Sequence, residues 1–150
     1  MAVSNTVSRK CKYALRAIFE LAFRDSKEPV KVQTIARNQG IPVRFLEVIM
    51  SELKHGGFVE SRRGNEGGYK LARDANDITV GEVIAFMEGL KQTDIEEYPG
   101  SGNFVGGYVF GEMWKHVYSV VANIYNNTSF SELVEQEAAQ RKSYIPNYAI

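Results

Sequence analysis

Apolar residues recur every three or four positions along most of the chain, the spacing that lines one face of a helix. Between Arg9 and Phe23 they fall at Tyr13, Ala14, Ala17, Ile18 and Leu21, which predicts a first helix. Asp25 to Val30 reads as a polar loop. A short helix is expected from Val32 to Gln39. Gly40 follows as a left-handed stop, a conformation that costs residues with a side chain more. Pro42 opens the next helix, where its missing N–H does no harm. That helix carries Leu46, Ile49, Met50 and Leu53 on one stripe and leaves Arg44, Glu47, Val48, Ser51 and Lys54 largely off it. Gly56 and Gly57 end it.

Two short strands come next. Phe58 to Ser61 runs up, and Gly68 to Ala72 runs back with Tyr69 and Leu71 on one face. Arg62 to Gly67 forms the tip between them. Helix, tight turn, helix and hairpin make a winged helix-turn-helix pattern, which sets its second helix in a DNA major groove with the wing beside it.

The remaining pattern is again helical. Thr79 and Glu82 have the spacing of a capping box, with Ile78 and Val83 as a hydrophobic staple. This helix is expected to reach Glu88 and stop at Gly89. Residues 91–107 contain Pro99, Gly100, Gly102, Gly106 and Gly107, which oppose any regular element. Long loops in compact domains are often functional, so an effector or sensor role is assigned to this segment. A long helix from about Tyr108 to Asn126 carries Phe110, Met113, Trp114, Val117, Val121, Ile124 and Tyr125 as a nearly continuous seam, widened by Tyr118 and Val120. One small domain would not cover so broad a face, so the seam is read as a dimer interface. Ser129 and Glu132 open a last helix to about Lys142. The tail 143–150 has no assignment.

The expected fold is therefore mostly α: a winged helix-turn-helix with a small β-hairpin wing, plus a long C-terminal dimerisation helix. The organisation is read as a DNA-binding unit over 1–90, a sensor loop over 91–107, and dimerisation helices and tail over 108–150.

Charge sharpens this picture. The chain is neutral overall, but residues 1–73 hold 14 Lys and Arg against 7 Asp and Glu, and residues 74–150 hold 4 against 11. A basic half facing DNA and an acidic half facing away accounts for the asymmetry. The first turn of the first helix holds Arg9, Lys10 and Lys12, which oppose the helix macrodipole unless phosphates approach there. At 150 residues the chain has the size of one domain and buries roughly 70% of its unfolded surface. No apolar run reaches the roughly 20 residues that span a membrane, and a cytoplasmic protein is expected. One cysteine excludes an internal disulfide and any metal site built from several thiolates.

An ordered set of short matches resembles one family. It comprises Ser8 to Arg16, Ile35-Ala36, Gln39-Gly40-Ile41, Leu46-Glu47, Leu53, Gly57-Phe58-Val59, Arg63-Gly64, Gly67 to Leu71 and Ile78 to Val83. The set resembles the Rrf-two family of bacterial winged-helix regulators, closely over about residues 8–90 and mainly in helix arrangement from 108 to 141. The resemblance implies a homodimeric, sequence-specific DNA-binding regulator, with a repressor as the expected sign. Each winged helix would read half of a near-palindromic operator. Phosphates would meet Ser8, Lys10, Lys12 and Tyr13. The groove would receive Arg44, Glu47, Val48 and Ser51, where Arg pairs with guanine, Glu accepts from cytosine and Val touches a thymine methyl. Arg62 and Arg63 on the wing suit the narrow, electronegative minor groove of A·T-rich DNA. Val48 and Arg44 stand where relatives often carry Gln and Ser, so the operator is expected to differ from theirs.

Cluster-binding members of that family place three cysteines in the segment matching 91–107, and this chain has none there. Iron–sulfur clusters rely on thiolates, so no such cofactor is expected. Asp94, Glu96 and Glu97 suit either a hard cation or, more simply, a solvated acidic loop. The family's cysteine-metabolism member also lacks the cluster and works with a partner enzyme, which keeps a small-molecule or protein effector open here. Cys11 replaces the family's usual Gly. Lys10 and Lys12 beside it would lower its pKa, which raises a redox role. The Gly64-Asn65-Glu66-Gly67-Gly68 run lacks the GK[ST] ending of a phosphate loop and reads as a turn. No nucleophile–base pair or cofactor fingerprint supports an enzyme. Two rivals to a regulator are a winged-helix module used for protein contact and a small-molecule sensor with secondary DNA binding. The first would lack salt-dependent DNA binding, and a ligand of the second would shift its melting temperature.

Overall fold

The computed structural model describes residues 7–25, 27–89 and 103–144. Helix α1 spans Arg9–Arg24 and lies at the centre of the molecule, in contact with α2 (Val32–Gln39), α3 (Val43–His55), α4 (Val80–Glu88) and α6 (Phe130–Tyr144). Its small buried residues Ala14 and Ala17 let neighbours approach closely, and Ile18 and Leu21 fill the space between them. The α3 stripe of Leu46, Ile49, Met50 and Leu53 is fully buried against this centre. Each such side chain contributes about 1.5–3 kcal/mol when removed from water.

The turn between α2 and α3 is set by Gly40, whose φ of +62° is left-handed. Its N–H donates to the Ala36 carbonyl, and the Ile41 N–H does the same at 2.9 Å, closing the orphan acceptors of α2. Pro42 lies one step outside the expected position. It is the N-cap in extended backbone, and Val43 is the first helical residue.

The wing is a two-stranded antiparallel sheet, β1 (Val59–Arg62) with β2 (Gly68–Leu71), in the register Val59–Leu71, Glu60–Lys70, Ser61–Tyr69 and Arg62–Gly68. The first strand is displaced by one residue at both ends from the expectation, so Arg62 belongs to β1 rather than to the tip, and the second ends one residue earlier, at Leu71. A third segment joins the wing. Val30 exchanges two backbone bonds with Tyr69, at 2.7 and 2.8 Å, before α2 begins. Gly68 makes this approach possible. A Cβ there would collide with the Val30 carbonyl, and its φ is +152°.

After a 3₁₀ turn at Ala75–Asp77, α4 opens with the expected capping box. Thr79 Oγ1 accepts from the Glu82 N–H at 3.2 Å and Glu82 Oε2 accepts from the Thr79 N–H at 3.0 Å. Ile78 and Val83, the staple, are both fully buried. Gly89 ends α4 in left-handed backbone. Helix α5 spans Gly107–Asn126, and the turn that joins it to α6 is tied to the start of α4, because the Val80 N–H donates to Thr128 O and the Phe130 N–H to Ile78 O. Ser129 Oγ accepts from the Glu132 N–H at 3.1 Å, the cap expected for α6.

Candidate nucleic-acid interface

Three elements present the candidate side chains: the N-terminus of α1, the outer face of α3 and the wing. Ser8 is the N-cap of α1. Its Oγ accepts from the Cys11 N–H at 3.1 Å and donates to Glu88 Oε1 at 2.6 Å, while its own N–H donates to the same oxygen at 3.0 Å. The Ser8 hydroxyl is therefore already engaged when no DNA is bound. Glu88, from the last turn of α4, also supplies the negative charge that the basic first turn of α1 lacks. The sequence reading assigned that compensation to phosphates alone.

Lys10 Nζ lies 2.6 Å from Glu52 Oε1, an ion pair between α1 and α3. Lys12 is exposed on the same turn, and Tyr13 is half-buried under the Arg16 guanidinium, 5.7 Å from its ring centroid. On α3, Arg44, Glu47, Val48 and Ser51 are all exposed, opposite the buried stripe. Phe45 joins them at 61% exposure. Periodicity alone gave no sign of this, because phenylalanine ranks with core residues. On the wing, Arg62 lies 3.6 Å from Glu28 in an exposed pair, and Arg63 is exposed at the tip. Gly64 and Gly68 take positive φ and the Gly67 N–H donates to Gly64 O at 3.0 Å, so this glycine run is a turn.

Behind the interface, Glu20 holds α1 to the end of α2. It is 7% exposed and accepts from Arg24 Nε at 2.8 Å, Asn38 Nδ2 at 2.7 Å and Gln39 Nε2 at 2.8 Å. Burial alone would raise its pKa. The three hydrogen bonds and the Arg24 charge outweigh burial and hold the carboxyl below its ordinary value. A glutamate among apolar helix positions was the available signal, but its three partners become neighbours only in the folded chain.

Cys11 corrects the sequence reading. Lys10 and Lys12 were expected to lower its pKa, but Lys10 pairs with Glu52 and Lys12 is exposed, while the thiol is fully buried. Burial, the charge of Glu88 and a hydrogen bond to Glu88 push it up to about 12. A protonated, inaccessible thiol does not support a redox role.

Residues 7–136 match the family model described as Rrf2, iron-dependent transcriptional regulator. The chain belongs to the Rrf2 family. The HTH-type transcriptional regulator IscR of Vibrio campbellii is 32% identical over 131 residues, 86% of this chain and 77% of that relative. The regulator of the same name from Photobacterium profundum is 33% identical over 139 residues, 91% of this chain and 80% of the relative. Among solved structures, T. potens IscR superposes with a TM-score of 0.71 at 29% identity, covering 88% of both chains. CymR (YrzC), the global cysteine regulator of B. subtilis, reaches a TM-score of 0.77 at 27% identity, covering 87% of this chain and 97% of CymR. This Rrf2 chain is a winged-helix, DNA-binding transcriptional regulator, and the relatives it matches are transcriptional regulators. No helix among the described residues is long and apolar enough to cross a membrane.

The family description names iron, and the donor set here does not fit a thiolate-held cluster. The 150 residues contain one cysteine, and it is buried and protonated within α1. Among the described residues, no three His, Cys, Asp or Glu side chains converge on a metal position. Asp94, Glu96, Glu97 and Tyr98 lie outside the described residues.

Proposed function

We propose that this Rrf2 regulator acts as a homodimeric repressor, each winged helix reading one half of a near-palindromic operator without an iron–sulfur cluster. The observation that carries the dimer is the outer face of α5. Phe110, Met113, Trp114, Val117 and Ile124 are all 42–59% exposed, and Val121 beside them is half-buried. Contiguous apolar surface of this kind marks a protein contact. A two-fold pairing of α5 with α5 buries the same patch on both subunits. An apolar groove of about 400 Å³ between α1 and the end of α5, lined by Leu15, Phe19, Ile124 and Leu133, continues that surface.

In this reading residues 1–90 bind DNA, 108–150 dimerise, and 91–107, of which 91–102 lie outside the described residues, receive a small-molecule or protein effector. Backbone phosphates meet Lys10, Lys12 and Tyr13, with Ser8 joining if Glu88 releases it. Arg44, Glu47, Val48 and Ser51 enter the major groove, and Arg62 and Arg63 approach the minor groove. The test is selection of genome fragments on the purified protein at two salt concentrations, with sedimentation of the complex. One recovered palindromic motif, bound by two chains, supports the proposal. Sequence-blind binding by a single chain contradicts it.

A further inference from the structure

Among the described residues of α1 to α4 and the wing, four large apolar side chains are exposed: Val43 at 36%, Phe45 at 61%, Val48 at 56% and Phe86 at 41%. Phe86 stacks edge-on against Phe58 at 5.4 Å between centroids. The other three all lie in the first six residues of α3. They are not part of the core stripe, which Leu46, Ile49, Met50 and Leu53 already fill. Phe45 and Val48 are three residues apart, so their side chains are neighbours on the helix surface.

The N-terminal residues of such a helix are the ones that reach base edges in the major groove. A phenylalanine or valine can make no hydrogen bond to a base and gains nothing from a phosphate. Every base presents hydrogen-bonding groups in that groove, but only thymine adds an apolar one, its C5-methyl. Arg44 directly precedes Phe45 and stands four residues before Val48, exposed and without an ion pair among the described residues. It suits the anion-rich groove around them. An apolar patch with a cation beside it matches methyl groups set among acceptors and phosphates.

We propose that Phe45 and Val48 are specificity-determining residues that read thymine methyl groups at two nearby positions of each operator half-site. This rests on the DNA-binding reading and names what that reading selects. Burying one methyl is expected to change the dissociation constant about four-fold.

The experiment uses the full chain and the duplex it selects from a random pool. Each thymine of the half-site is replaced in turn by deoxyuridine, which keeps every hydrogen-bonding group and lacks only the methyl. Binding is measured by fluorescence anisotropy at fixed salt. One or two positions are expected to lose about four-fold each, and 5-bromodeoxyuridine, whose bromine fills the methyl's place, restores binding. Phe45→Ala is expected to make one of these positions indifferent to the methyl, and Val48→Ala the other. Both residues are exposed, so unchanged melting temperatures serve as the folding control. Tight, selective binding that ignores every thymine-to-uracil change overturns the proposal. So does methyl discrimination that persists in both alanine variants. If no sequence is selected at all, the DNA-binding reading fails first, and that result is distinct from the other two.

Discussion

Lys10 Nζ sits 2.6 Å from Glu52 Oε1, so a cation assigned to the DNA backbone is held, in the free protein, by a carboxylate of the groove-reading helix. Both side chains are partly exposed, and such pairs contribute only about 0–1 kcal/mol. A phosphate can therefore replace Glu52 at small cost. Lys10→Ala is expected to weaken all duplexes alike and to reduce the salt slope by about one. Glu52→Gln should do the reverse, strengthening binding to unrelated sequences. Titrations at four salt concentrations check both. Sequence-selective loss in Lys10→Ala would remove it from the backbone contacts.

Glu20 links α1 to α2 through Asn38 and Gln39, and its carboxyl titrates below its ordinary value in the folded chain. A lowered folded pKa adds stability that is fully present above the unfolded value of about 4.3. That stability is lost as pH falls through the folded value. Glu20→Gln should cost on the order of 3 kcal/mol near neutral pH, because it strips a buried charged acceptor from its partners. It should also flatten the acid limb of the stability curve. Urea melts from pH 3 to 7 test this, and equal loss at both ends would show that charge is not the cause.

Gly68 faces the Val30 carbonyl with no room for a Cβ and holds a positive φ. Gly68→Ala is expected to cost about 1–3 kcal/mol through strain and to release Val30 from the wing. Hydrogen exchange at the Val30 and Tyr69 amides reads this directly. Unchanged protection at both would mean the strand edge tolerates the methyl.

The local signals were legible in the sequence because they depend on near neighbours. The α3 stripe repeats at steps of four residues or fewer, the Gly40 stop and the Thr79–Glu82 box are set within four residues, and each was read where it stands. What was missed crosses the chain. Val30 pairs with Tyr69 39 positions away, and Glu88 meets Ser8 at a separation of 80. The thiol of Cys11 shows the consequence. Its sequence neighbours are cations, yet the group that reaches it is Glu88. The exposure of Phe45 was hidden for a related reason, since periodicity reports what a helix buries and is silent on what it offers to a partner.

Cys11 is buried and its pKa is pushed up to about 12, so thiolate is rare near neutral pH. Thiol reagents are expected to label it only at the rate of unfolding, and mild peroxide should leave DNA binding unchanged. Protein purified without oxygen should be colourless and bind its operator without added iron or sulfide. A broad visible absorption band with stoichiometric iron, lost in Cys11→Ala, would make Cys11 a cluster ligand and contradict this account.

The dimer is the hinge of the proposed mechanism, because one winged helix alone makes half of the contacts. Val117 is 42% exposed on α5, and a charge there opposes burial against a second copy. Val117→Glu should give a folded monomer whose operator affinity falls steeply, while its weak binding to a single half-site persists. The most direct measurement is sedimentation velocity of the wild-type chain at micromolar concentration, alone and on its selected duplex, beside Val117→Glu. Two wild-type chains per duplex, already paired when free, with the variant a monomer, is the expected result. A wild-type monomer that occupies the full operator as one chain would contradict it.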